Sequence, residues 1–137
     1  MDRDRLYALW TKAQEQPIAG WDFSRLDGRM ESDPLPWDYR AIVLSRLKPD
    51  SRLLDMGTGG GEFLLGLGHP HRLTSVTEGF APNLALCRER LSPLGIEVKE
   101  VREDNRLDFP DASFDLIINR HEDLSAPEVF RCLKPGG

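Results

Sequence analysis

The sequence predicts an α/β fold, a doubly wound and mostly parallel sheet preceded by N-terminal helices. Three observations carry this. From about residue 50 onward, short apolar runs alternate with segments of helical periodicity. The run Leu53-Leu54-Asp55-Met56 passes directly into Gly57-Thr58-Gly59-Gly60-Gly61, a buried strand delivered into a turn too tight for side chains. A second run, Leu73 to Phe80, again carries an acid, Glu78, at its end.

Taken in order, residues 4–15 place Leu6, Leu9, Trp10 and Ala13 at helical spacing before Pro17 and Gly20 break the pattern. Trp21 and Phe23 flank Asp22, and a polar loop runs through Asp33-Pro34-Leu35-Pro36. Asp38 is placed to cap a second helix that presents Ile42, Val43 and Leu47 before Pro49. Strand one covers 52–56, and a short helix follows the glycines through Leu65. After strand two, Pro82 suits the first turn of a helix whose buried stripe is Leu84, Cys87 and Leu91. Strand three is expected at 97–101 and strand four at 114–119. Ser125-Ala126-Pro127-Glu128 has the form of a capping box opening the last helix. Right-handed crossovers between these strands build a parallel sheet.

The glycine spacing narrows the ligand. A dinucleotide fingerprint, Gly-x-Gly-x-x-Gly, places its third glycine at position 62 when Gly57 and Gly59 are the first pair, and that position holds Glu62. A carboxylate there opposes a pyrophosphate, which argues against a nicotinamide-dependent oxidoreductase. No Lys-Ser or Lys-Thr follows the glycines, which excludes a Walker loop. Glu78 lies 23 residues beyond Asp55, close to the ~20-residue interval at which such sheets place a ribose-binding carboxylate. A carboxylate accepts from two neighbouring hydroxyls at once. The alternative for Glu78 is a solvated acid in a turn.

The pattern Asp55-x-Gly57-x-Gly59-x-Gly61 resembles motif I of the class I S-adenosylmethionine-dependent methyltransferases, of the type 11-like kind. Three further segments extend the resemblance in order: Glu78-Gly79-Phe80, the stretch from Asp104-Asn105 through Leu107-Asp108-Phe109-Pro110 to Ser113-Phe114-Asp115, and Glu128-Val129-Phe130-Arg131-Cys132-Leu133-Lys134-Pro135-Gly136-Gly137. The resemblance covers about residue 50 to the end and implies a Rossmann-like core of strand order 3-2-1-4, ending before strand five. It divides the chain into a helical or lid segment, residues 1–48, and a cofactor-binding core, residues 49–137, incomplete at its C-terminus. The implied cofactor is S-adenosyl-L-methionine. Asp55, Gly57, Thr58, Gly59 and Gly61 would hold its methionine end, Glu78 its ribose, Gly79 would flank its adenine, and Asp104 and Asn105 would hold the adenine. Asp104 is equally a good turn former. Asn119-Arg120-His121-Glu122 follows strand four, where the family faces the transferable methyl. Asn119 is thereby a candidate cofactor contact and His121 a candidate general base, the alternative being a solvated loop histidine.

Trp21, Phe23, Trp37 and Tyr39 lie upstream of strand one, where the family builds a lid; Trp37 and Tyr39 are read either as a lid over the cofactor or as core aromatics, and Trp21 and Phe23 as anchors of the N-terminal helices in preference to a lid. An Asn/Asp-Pro-Pro-Tyr motif and a Pro-Cys nucleophile are both absent. With 23 acids against 18 bases and a net charge of −5, this argues against a nucleic-acid substrate and for a small-molecule acceptor. No apolar stretch approaches the ~20 residues of a membrane span, and the charged start is not a signal peptide. Cys87 and Cys132 read as buried reduced thiols in a cytoplasmic protein. His69 and His71 lack companions for a metal site. An uncovered strand four would be an apolar edge. The expectation is therefore a truncated domain, or a homodimer or other partner covering that edge. The alternative function is a non-catalytic S-adenosylmethionine-binding module that needs this partner.

Overall fold

The computed structural model describes residues 2–137. Four strands, β1 (Leu53–Met56), β2 (Thr74–Glu78), β3 (Glu97–Glu100) and β4 (Leu116–Asn119), form one parallel sheet of order β3-β2-β1-β4. This is the order expected from the sequence. Five helices accompany it: α1 (Arg3–Gln14), α2 (Tyr39–Arg46), α3 (Glu62–Gly66), α4 (Ala81–Arg90) and α5 (Ala126–Cys132).

Strand alternation sends β1 residues to two faces. Leu53 joins Val76 and Ile118 beneath α2, α3 and α4, where Val43, Leu64, Cys87 and Leu91 complete one core. Leu54 and Met56 pack on the other face with Leu107, Phe109, Phe114 and Cys132. Both faces of β1 and β2 are buried, as a parallel sheet with helices on each side requires. Asp55 sits in the row of Val76 and Ile118, so its carboxylate occupies a place that alternation reserves for an apolar side chain.

Asp38 caps α2 as its position predicts, accepting from the Ala41 N–H at 3.1 Å. The capping box at Ser125 does not form, because Ser125 makes no side-chain cap. Glu128 is drawn elsewhere: it accepts from the Leu107 N–H at 3.0 Å and from Arg131 at 2.8 and 3.0 Å. Arg131 also donates to the carbonyls of Leu107 and Phe109 and to Asp111, tying the segment before β4 to α5. Strand four begins at Leu116, later than expected. Phe114 instead makes a parallel bridge to Leu133, so the approach to β4 is flanked by residues 132–134. Within Leu116–Asn119, β4 pairs with β1 alone among the described residues. Helix α1 has the expected periodicity but no buried residue, and Tyr7, Leu9 and Trp10 are exposed. No helix among the described residues is long and apolar enough to cross a membrane.

Candidate functional site

The carboxyl ends of β1 and β2 and the loop after β4 converge on a cleft of about 350 Å³. A doubly wound sheet presents its ligand-binding crevice at this edge. Gly57, Gly59, Glu78, Gly79, Phe80, Asn83, His121 and Glu122 line it from the core, and Ile18, Gly20, Trp21 and Phe23 from the N-terminal segment.

The glycine loop is held from three directions. The N–H of Gly57 donates to the Thr77 carbonyl at 3.0 Å, continuing the β1–β2 ladder beyond the strand. Glu78 is 6% exposed, and its Oε2 accepts from the Gly59 N–H at 2.8 Å. Its Oε1 accepts from Gly79 and Phe80 at 3.0 and 2.9 Å. One carboxylate thus binds two loops together, a sharper role than a solvated acid. From below, the Cys87 thiol donates to the Gly59 carbonyl at 2.9 Å.

Two of the glycines are required. Gly59 has φ +69, and a Cβ there would run into the indole of Trp21. Gly57 has φ +65, and a Cβ would lie 2.7 Å from that of Glu122. Gly61 opens α3 and faces Leu91 rather than the cleft.

Asp55 is 3% exposed; its Oδ2 and the Thr58 hydroxyl have no hydrogen-bond partner among the described residues. Burial pushes the Asp55 carboxyl from 3.8 up to about 6, against the pull of the neighbouring Thr58 hydroxyl, which faces it without meeting hydrogen-bond geometry, and of the Arg120 charge. Glu122 behaves alike: burial pushes it from 4.5 up to about 7, the Thr77 hydrogen bond opposing and the charges of Glu78 and Asp55 adding. Its carboxylate accepts from Thr77 Oγ1 at 3.1 Å. Asn119 fixes the loop that presents it, donating to the Glu122 carbonyl at 2.8 Å and accepting the Glu122 N–H at 3.0 Å. Asn119 therefore shapes the cleft without lining it.

The N-terminal segment closes the cleft. The Gly20 N–H donates to Asn83 Oδ1 at 2.8 Å, and Trp21 Nε1 to the Thr58 carbonyl at 3.2 Å. Trp21 also packs against Phe23 and His121 at ring separations of 5.9 and 5.2 Å. Trp21 and Phe23, expected to anchor helices, are thus walls of the cleft. Trp37 is 57% exposed and does not line it, whereas Tyr39 packs on Phe63 at 5.2 Å.

His121 is brought to the lining; Asp104 and Asn105 are not, and Asp55 and Thr58 lie buried beneath the loop rather than on the cleft surface. Asp104 is exposed and accepts from the Arg106 N–H at 3.1 Å, the turn chemistry its sequence allows. Asn105, at φ +55, donates to Asp123 at 2.9 Å. Glu62 accepts from the Gly60 N–H at 3.1 Å and pairs with Arg90 at 3.3 Å, so a negative charge stands at the start of α3. His69 is a buried structural residue whose Nε2 lies 2.7 Å from the Ser51 carbonyl. No group of three or more His, Cys, Asp or Glu among the described residues is arranged to hold a metal ion. Sequence reasoning missed Glu122, and it set the covering role of Trp21 second to an anchoring one. The signal for Glu122 was its position four residues after Ile118, at the end of the central strand pair.

Comparison with known proteins agrees with this fold. A family model described as a methyltransferase domain matches residues 54–137. A demethylmenaquinone methyltransferase of Thermus thermophilus is 32% identical over 113 residues, covering 75% of this chain and 51% of that protein. The chain thus spans about half the length of this curated relative. Among solved structures, a SAM-dependent methyltransferase from Aquifex aeolicus superposes with TM-score 0.57 at 25% identity, over 84% of this chain and 69% of that one. The cyclase SpnF superposes with TM-score 0.55 at 28% identity, over 72% and 41%. With its sheet order, its glycine loop and this family match, the chain belongs to the class I S-adenosylmethionine-dependent methyltransferase family.

Proposed function

We propose that this chain binds S-adenosylmethionine over the Gly57–Gly61 loop and serves methyl transfer to a small-molecule acceptor. The observation that carries the reading is the bond from the Gly59 N–H to Glu78, which joins the glycine turn and the acid of the next strand at one cleft. The residues present fit the cofactor. Asp55 Oδ2 and Thr58 Oγ1, buried without partners, are acceptors for a cationic amino group. Glu78 Oε2 takes one N–H, where a carboxylate oxygen has room for two donors, and so retains capacity for a ribose hydroxyl. Glu62 at the start of α3 opposes a dinucleotide pyrophosphate.

When bound, the cofactor supplies an electrophilic methyl carbon for in-line displacement. The chain's residues supply alignment and field. The loop and its carboxylates fix the ligand, and Trp21 and Phe23 keep water from the cleft. His121 and Glu122 stand where a proton leaving the acceptor's nucleophile can be taken. The net charge of −5 supports a small acceptor over a nucleic acid. The acceptor named for the Thermus relative is a demethylmenaquinone, and nothing in this cleft selects that ring system over others.

A second reading, a binding module completed by a second copy or partner, is favoured by the one-sided pairing of β4. Titration calorimetry with S-adenosylhomocysteine and with NAD tests the cofactor assignment. S-adenosylhomocysteine binds and NAD does not; binding of NAD alone overturns it. Glu78→Ala abolishes most of the affinity, and unchanged binding removes Glu78 from the site. Transfer from labelled S-adenosylmethionine to a panel of small nucleophiles separates the enzyme from the module.

A further inference from the structure

The cover over the cleft is lightly attached. Among the described residues, two hydrogen bonds and no ion pair tie residues 2–37 to the rest of the chain. These are the bonds from Gly20 to Asn83 and from Trp21 to the Thr58 carbonyl. Within that stretch only Gly20 is buried. A segment with so few buried contacts opens at low cost. Its main further hold is the seat of Trp21. Asn119 and Glu122 close the turn after β4 by exchanging two hydrogen bonds, and Arg120 and His121 lie between them. Both touch the same indole: the His121 ring centre stands 5.2 Å from it and the Arg120 guanidinium carbon 5.3 Å. The core backs that guanidinium, with the Phe63 ring of α3 at 4.4 Å and the Tyr39 ring of α2 at 5.8 Å.

Arg120 makes no ion pair and no hydrogen bond among the described residues, so attraction to these ring faces is what holds it. One ring belongs to the cover and two to the core, which makes the cation a bridge between them. Arg120 is exposed, so its charge stays hydrated and each contact is weak, as suits a fastening that must release. Trp21 in turn presses on the glycine turn, where a Cβ on Gly59 would meet its indole. Arg120 itself does not line the cleft; it stands behind the wall that Trp21 makes. We propose that Arg120 is a positioning residue, a charged clasp that seats Trp21 against the Gly59 turn and so slows the escape of bound ligand. For the ligand this rests on the S-adenosylmethionine reading above; for the clasp it rests on the contacts alone.

Two measurements on the full chain test it. Acrylamide quenching without ligand reads the clasp directly, because Trp10 and Trp37 are 66% and 57% exposed and Trp21 is the sheltered tryptophan. Stopped-flow dilution of the S-adenosylhomocysteine complex gives the release rate. Arg120→Met keeps an apolar chain among the rings and removes the charge. It should expose the sheltered fraction to quencher and speed release by about 3- to 10-fold. Saturating S-adenosylhomocysteine should restore the shelter, which an unfolded chain cannot do. Arg120→Lys keeps the charge and should stay within about twofold of the wild type in both assays. In a Trp21→Leu background release is already fast, and adding Arg120→Met should accelerate it no further. Wild-type behaviour of Arg120→Met overturns the clasp and makes Arg120 a packing residue. A lysine variant no better than the methionine one overturns it too. So does full acceleration by Arg120→Met in the Trp21→Leu background, because Arg120 would then act through something other than Trp21. Failure of the wild type to bind S-adenosylhomocysteine overturns the cofactor reading and the effect on release, whereas quenching of the free chain still decides whether Arg120 seats Trp21.

Discussion

Replacing Glu122 by glutamine removes one of three carboxylates around the glycine loop while keeping shape and an oxygen for the Thr77 hydroxyl, now 3.1 Å from the carboxylate. Burial and the charges of Glu78 and Asp55 raise the Glu122 carboxyl from 4.5 to about 7, which makes its ionised form costly in the folded chain. The sign follows from linkage: between those two values the folded chain holds a proton that the unfolded chain has released. The wild type therefore loses stability as pH rises from about 4.5 to about 7, and the loss is complete above the folded value. At 1.36 kcal/mol for each tenfold, the ceiling is about 3 kcal/mol. Glu122 is partly open to solvent, and coupling to its acidic neighbours spreads the effect, so about 1 to 2 kcal/mol is expected. Glu122→Gln should match the wild type near pH 4.5 and exceed it by that amount at pH 8. For a domain of this size, that is a rise in Tm of about 3 to 8 °C. Thermal unfolding by circular dichroism across pH 4.5 to 8.5 measures it. A gain independent of pH, or a loss at pH 8, would refute the buried-charge account.

Gly59→Ala combines a left-handed backbone with a Cβ directed into the Trp21 indole. It should destabilise the chain by about 2 kcal/mol or more, with a shift in tryptophan emission as the indole is displaced. Unchanged emission would mean that Trp21 does not rest on the loop. Arg131→Ala cuts the ties to Glu128, Asp111 and the carbonyls of Leu107 and Phe109. A loss of about 1 to 3 kcal/mol in urea unfolding is expected. Since two of its acceptors are carbonyls, much of that loss should persist at high salt; its disappearance in 1 M NaCl would reduce Arg131 to a surface ion pair.

What was legible in the sequence was local. The apolar run through Met56, the alternating glycines and the acid closing β2 specify strand, turn and strand within a few residues. Asp38 capped its helix because a cap depends only on the next turn. Ser125 looked as favourable, yet its expected partner Glu128 was claimed by Arg131 and by the distant Leu107 N–H, a competition that no four-residue pattern reveals. The same limit hid the site's cover. Trp21 reaches Thr58 across 37 positions, and Glu122 reaches Thr77 across 45, so both contacts exist only once the sheet is assembled. The periodicity of α1 announced a helix but not a neighbour, and its apolar side is exposed.

The chain's only two cysteines lie under opposite faces of the sheet, Cys87 with the α2–α4 layer and Cys132 with α5. Burial pushes the Cys87 thiol up to about 12 and raises that of Cys132, so neither offers appreciable thiolate to a reagent while native. Alkylation kinetics therefore become a pair of internal clocks, each timing the breathing of its own layer. Ligand that bridges the Gly59 turn should slow the first clock and leave the second nearly untouched, because only Cys87 is bonded to that turn.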